Sequence, residues 1–185
     1  MQTFAVYVDN KPGVLNRVSS LFRRRAFNIE SLTVGHTEKQ GLSRMTIVVD
    51  TDERGARLVE ANLYKLIPVR RVDNITKLAQ IARDLALIKV SAVGDGRTQV
   101  MQLVEVYRAR IVDVSPDSLV IEATGAEDKI DSLVEVLRQY GVIEMVRTGR
   151  VAMARGGAGP TPEVSARPEA VAVDAEQHDV SNGSV

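Results

Sequence analysis

Thr3-Phe4-Ala5-Val6-Tyr7-Val8-Asp9-Asn10-Lys11-Pro12-Gly13-Val14-Leu15-Asn16-Arg17-Val18-Ser19-Ser20-Leu21-Phe22, residues 3–22, changes hydrophobic period halfway along. Phe4, Val6 and Val8 alternate with Ala5, Tyr7 and Asp9, which predicts a strand over Thr3–Asp9. Asp9 to Gly13 is turn chemistry. Leu15, Val18, Leu21 and Phe22 then share one helical face, and Arg23–Arg25 close that helix where cations suit its dipole. The stretch is a strand, a tight turn and an amphipathic helix.

Continued outward, the pattern completes itself and then repeats. Ile29–His36 reads as a second strand, Thr37–Gly41 as a turn, and Met45, Ile47 and Val49 as the inward positions of a third strand. Val59, Leu63 and Leu66 mark a second helix, and Val69–Asn74 a closing strand. In the second half the strands are Leu85–Ala92, Arg110–Val114, Leu119–Thr124 and Val142–Arg147. The helices carry Val100, Leu103, Val104 and Tyr107, and Ile130, Leu133, Val134 and Leu137, both at i, i+3, i+4, i+7. The expected fold class is α+β, with two tandem ferredoxin-like (βαββαβ) domains. The boundaries are 1–76 for the first domain, 77–82 for a linker, 83–155 for the second domain and 156–185 for a C-terminal tail. The tail is rich in Ala, Pro, Gly and acids without an aromatic, which predicts disorder. Each unit is one sheet under two helices, so one sheet face is expected to be bare and the chain to be at least a homodimer.

Composition narrows the function. The 185 residues include 24 Lys+Arg and 24 Asp+Glu, and the body without the tail keeps a mild positive excess. Neither charge nor aromatic content (4%) suits nucleic acid, and no strand carries the aromatic signature of an RNA-binding sheet. No apolar run approaches the ~20 residues of a membrane span. Met1-Gln2-Thr3-Phe4 has no basic-then-apolar leader, so a cytoplasmic location is expected. With no Cys and only His36 and His178, thiol chemistry and a His-rich metal site are excluded, and no Ser-His-Asp set, phosphate loop or dinucleotide fingerprint occurs. Gly94-Asp95-Gly96 lacks the downstream Asn pair of a thiamine-diphosphate motif and reads as a strand-to-helix turn. No catalytic residue and no metal ligand is assigned.

The chemistry concentrates at Asp9-Asn10-Lys11-Pro12-Gly13-Val14-Leu15. Free N–H groups at a helix start and the helix dipole favour a carboxylate there. Pro12 loses nothing near the helix start, and Gly13 lets a ligand approach the backbone. Asn10 and Asn28 add short amides that both donate and accept. The set suits an amino-acid zwitterion, but on local physics alone an ordinary Asx-turn and helix cap accounts for it more simply.

This segment resembles the first loop of ACT domains, ferredoxin-like modules that bind amino acids and regulate biosynthetic enzymes. Phe27–Val34 and Ser43–Ile47 resemble the acetolactate synthase (acetohydroxyacid synthase) small subunit family, as do Ala86–Val90, Ile111–Val114, Thr124-Gly125 and Lys129-Ile130 of the second half. The resemblance covers residues 2–155 in register. It implies a regulatory chain without an active site, partnered by a separate catalytic subunit. Thiamine diphosphate, Mg²⁺ and FAD are expected on that subunit and no cofactor on this chain. It implies activation of that subunit and feedback inhibition by valine, in branched-chain amino-acid biosynthesis. The implied effector site lies between two ACT domains of a dimer. Asn10, Gly13, Val14 and Leu15 come from one chain, and Asn28 and Ile29 from the other. Where relatives often carry Glu-Gln on the second helix, this chain has Arg57-Leu58. An amino-acid sensor for another enzyme or for transcription is the alternative, and a small ferredoxin-fold enzyme is a third reading.

Overall fold

Phe4, Val6 and Val8 lie fully buried along β1 (Gln2–Asp9), and the first domain assembles around that edge-on row of side chains. The computed structural model describes residues 1–156; the expected tail, from 157 onward, lies outside the described residues. After β1 come α1 (Val14–Arg24), β2 (Ile29–His36), β3 (Leu42–Val49), α2 (Glu53–Leu63) and β4 (Val69–Asn74). The sheet order is β2-β3-β1-β4, antiparallel throughout. Val14, Val18, Leu21 and Phe22 of α1 are buried at i, i+4, i+7 and i+8, each worth about 1.5–3 kcal/mol of apolar burial. They join Ala56, Val59 and Leu63 of α2 over Met45, Ile47 and Val49. Asp52 caps α2 by accepting from the Gly55 N–H at 2.7 Å. The Tyr64 hydroxyl accepts from the Val72 N–H at 3.1 Å and donates to the Val72 carbonyl at 3.2 Å, fixing the end of α2 against β4.

The second domain repeats the plan with β5 (Gln80–Ser91), α3 (Asp95–Val106), β6 (Arg110–Val114), β7 (Ser118–Gly125), α4 (Glu127–Leu137) and β8 (Val142–Arg147). Its order, β6-β7-β5-β8, is that of the first sheet. Ile88, Val90, Leu119 and Ile121 pack under Val100, Val104, Ile130, Leu133 and Leu137. Gly94-Asp95-Gly96 is a strand-to-helix turn, with Gly94 at φ 58°. Arg147 bridges the carboxylates of Asp84 (2.7 Å) and Asp131 (2.6 Å). Burial works against the charge of Arg147, but its hydrogen bonds to Asp131 and Asp84 outweigh that and raise its pKa.

Three features depart from the sequence reading. Leu15, expected on the inward face of α1, is 46% exposed, and Val14 takes the buried place instead. β5 starts at Gln80, so the segment expected as a linker to residue 82 ends inside a strand. That strand has no inward apolar pattern at its start because Gln80–Arg83 are extended by pairing with β9 (Val151–Ala154), not by core burial. Nor is the outer face of the first sheet bare. The β5–β9 ribbon lies across it, enclosing Ala5, Ile75 and Ala152 with Tyr7, Leu78 and Ala82 around them. Arg44 of β3 donates to the Ala152 carbonyl at 2.5 Å, and the Arg150 N–H donates to the Ser31 hydroxyl at 2.7 Å. The guanidinium groups of Arg44 and Arg71 stand over the Tyr7 ring at 5.8 and 5.6 Å. The outer face of the second sheet stays open, with Leu87 and Val146 exposed on paired positions.

Candidate functional site

The loop from β1 to α1 is held from both sides. The Asp9 N–H donates to the Pro68 carbonyl at 2.8 Å and the Asn10 N–H to the Gly41 carbonyl at 2.8 Å. Arg70 clamps the Asp9 carboxylate through Nε (2.5 Å) and Nη2 (3.0 Å), with Lys11 at 3.3 Å. The Arg70 hydrogen bond, opposed by burial and helped by Lys11, holds the Asp9 carboxyl below its usual 3.8.

Gly13 takes the N-cap position of α1 at φ 80°, ψ −4°, left-handed backbone that suits glycine, and nothing lies within 4 Å of the place a Cβ would take. No side chain caps the helix. Among the described residues no group accepts from the Leu15 or Asn16 N–H. The helix start therefore offers unused donors beside an open glycine, the requirement for seating a carboxylate.

The expected site residues fall in two places. Asn10, Gly13 and Leu15 are exposed around the helix start, with the Asn10 amide 3.4 Å from Nδ1 of His36. Val14 is 6% exposed and belongs to the core, so only its backbone faces the site. Asn28 is exposed and donates to the Glu30 carboxylate, and Ile29 packs partly against the core. Register separates the two groups. Ile29 pairs with Val49 at one end of β3, and His36 with Ser43 at the other. Eight residues of β2 span about 23 Å, so one chain does not bring Asn28 and Ile29 to its own Gly13. His36 is the residue that sequence alone did not place: its nearness to Asn10 follows from strand pairing, which leaves no local mark.

Elsewhere, a cleft of about 460 Å³ opens where the domains meet, lined by Ser31, Asp84, Glu127, Arg147 and Arg150 among others. Its charges pair with one another: Arg147 with Asp84, Arg150 with Glu127. Among the described residues no cluster of His, Asp and Glu has metal-ligand geometry, and no helix is long and apolar enough to cross a membrane.

The first unit, ferredoxin-like with an uncapped, glycine-led helix, has the form of an ACT domain, and a second ferredoxin-like unit follows it. Residues 4–71 match the family model for the small-subunit-like ACT domain of acetohydroxyacid synthase, and residues 83–156 match that for the small subunit of acetolactate synthase. The chain belongs to the acetolactate synthase small subunit family. It is 54% identical over 154 residues to a probable acetolactate synthase small subunit of Archaeoglobus fulgidus, covering 83% of this chain and 96% of that one. It is 47% identical to the acetolactate synthase small subunit of Bacillus subtilis, covering 80% and 87%. The crystal structure of the small subunit from Thermotoga maritima superposes with a TM-score of 0.80 at 42% identity, covering 84% of this chain and 97% of that one.

Proposed function

We propose that this chain is the regulatory partner of a separate acetolactate synthase catalytic subunit, which it activates and places under feedback control by valine. It acts in the cytoplasm as a homodimer. Thiamine diphosphate, Mg²⁺ and FAD belong to the catalytic chain; this one supplies a sensor and no reacting group. The observation that carries the reading is the division of the site. The open helix start and the Asn28-Ile29 pair sit at opposite ends of β2, an edge strand of its sheet. A second copy running antiparallel along that edge brings the Asn28-Ile29 end of one chain to the Gly13 end of the other. The effector carboxylate then rests on the Leu15 and Asn16 N–H groups, its ammonium on side-chain amide and main-chain oxygens, and its isopropyl group near Ile29.

Burying the isopropyl group contributes about 1.5–3 kcal/mol. Each charge-assisted hydrogen bond adds about 1.5–3 kcal/mol, against an association cost of at least about 4. A micromolar-to-millimolar sensor results. A methylene is worth about 1–3 kcal/mol, so discrimination between valine and leucine or isoleucine is weak. The test mixes the chain with the catalytic subunit. Gly13→Asp, which sets a carboxylate where the ligand's own would rest, is expected to keep activation and abolish inhibition by valine. Unchanged inhibition would overturn the reading. Activity of this chain alone on pyruvate would overturn it from the other side.

A further inference from the structure

We propose that the β5–β9 ribbon is a strap that parts from the first sheet as a unit while both domains stay folded. β5 serves two structures in series. Asp84–Ser91 pair with β7 between Gly125 and Ser118, whereas Gln80–Arg83 pair only with the four residues of β9. The apolar contact of this ribbon with the sheet is thin: Ala152 is its one buried hydrophobic, resting on Ala5 and Ile75, with Leu78 and Ala82 partly buried beside it. The outward side chains of β9, Val151 and Met153, are 50% and 65% exposed.

On its polar side the same seam has few direct protein–protein hydrogen bonds, Arg44 to Ala152 and Arg150 to Ser31 among them. Among the described residues the buried side-chain atoms without a hydrogen-bond partner are Thr33 Oγ1, Arg44 Nε and Gln80 Oε1. All three belong to this seam. Thr33 faces Gly149, where a Cβ would stand 2.7 Å from its hydroxyl. Arg44 is the side chain that reaches the Ala152 carbonyl. Gln80 lies on the same side of β5 as Ala82, just after Leu78. Lifting the strap gives up the Arg44–Ala152 and Arg150–Ser31 hydrogen bonds and one buried alanine, while Thr33 Oγ1, Arg44 Nε and Gln80 Oε1 become open to water, so opening costs little beside unfolding either core. The seat of the strap is also placed to carry a signal. Ser31 and Thr33 follow Asn28 and Ile29 on β2, and Arg150 pairs with Glu127 at the start of α4 in the second domain. On the functional reading above, strap position is what the second domain senses of the effector site.

The test is amide hydrogen exchange on the full chain, which needs neither effector nor catalytic subunit. Amides of 80–83 and 151–154 are expected to exchange at least about tenfold faster than the paired amides of β1 and β3. Exchange of the strap only at the rate of that core overturns the proposal. Thr33→Val removes one unpartnered oxygen and is expected to slow strap exchange at least about fivefold; faster exchange overturns it. The sequence has no cysteine, so Thr33→Cys with Gly149→Cys makes a lock that opens with dithiothreitol; both redox forms carry the same Cβ at 149, and its crowding cancels between them. Oxidised, the strap is expected to exchange with the core, and in the mixed holoenzyme valine inhibition is expected to fall several-fold and return on reduction. Equal inhibition in both redox forms overturns the signalling role. Failure of the unmodified chain to activate any synthase overturns the functional reading and leaves the exchange result standing.

Discussion

The N–H of Arg150 donates to the hydroxyl of Ser31 at 2.7 Å across 119 residues of sequence. That bond fastens the segment leaving the second domain to the strand that starts at Ile29, directly after Asn28. It is possible because Gly149, beside it, brings bare backbone against β2.

Gly149→Ala tests the closeness of that approach. The added Cβ would stand 2.7 Å from Ser31 Oγ and Thr33 Oγ1 and 2.9 Å from the Leu32 carbonyl oxygen. The hydroxyls can rotate away, but the carbonyl belongs to a paired strand. The expected cost is about 1–3 kcal/mol of overpacking, read by urea denaturation as a lower midpoint. A midpoint equal to wild type would show that the segment relaxes freely.

Asp84→Asn tests the bridge at the base of the second domain. The Asp84 side chain is 8% exposed and takes two hydrogen bonds from Arg147. Loss of its charge leaves Arg147 with Asp131, whose side chain is 59% exposed. The expected loss is about 2 kcal/mol, followed by thermal unfolding.

The Asp9–Arg70 clamp sets an acid response. The folded pKa of Asp9 is lowered below 3.8, first by the Arg70 hydrogen bond. Its stabilisation is therefore present in full above the unfolded value and disappears as pH falls through the folded one. Arg70→Leu is expected to cost about 0.5–1 kcal/mol at pH 7 and nothing at a pH where Asp9 is protonated in both proteins. Denaturation midpoints from neutral pH down to about 2 decide it; a difference independent of pH would place the effect outside the ion pair.

Glu60 has the opposite sign. Burial, and then the nearby Asp73, raise its pKa above 4.5. The folded state holds this proton more tightly than the unfolded one, so stability falls as pH rises through that range. Glu60→Gln is expected to stabilise at pH 7 by no more than about 0.5 kcal/mol and to leave stability unchanged at pH 3. Paired denaturation curves at the two values check it.

Much of this molecule could be read from its sequence because both cores are built from local periodicities. Val100 and Val104 on a helix, or Phe4, Val6 and Val8 on a strand, announce their faces without reference to anything distant. The open helix start at Gly13 was legible for the same reason, since a glycine after a proline in a turn marks it locally. The buried Val14 and the exposed Leu15 were not separable by type, because the start of a helix turns successive apolar residues in different directions. β9 was illegible. Val151-Ala152-Met153-Ala154 is too short to show a period, and it becomes a strand only because Gln80–Arg83 lie alongside. The start of β5 and the nearness of His36 to Asn10 were hidden likewise, each depending on a partner far along the chain.

The cover of the first sheet is completed by Val151–Ala154, laid beside Leu78 and Ala82. A ribosome making this protein therefore exposes a first domain with a complete hydrophobic core but an outer face only partly covered. That face stays available to chaperones or to a sister chain until synthesis has passed residue 154, so the dressing of the earliest-made part of the body waits for the latest.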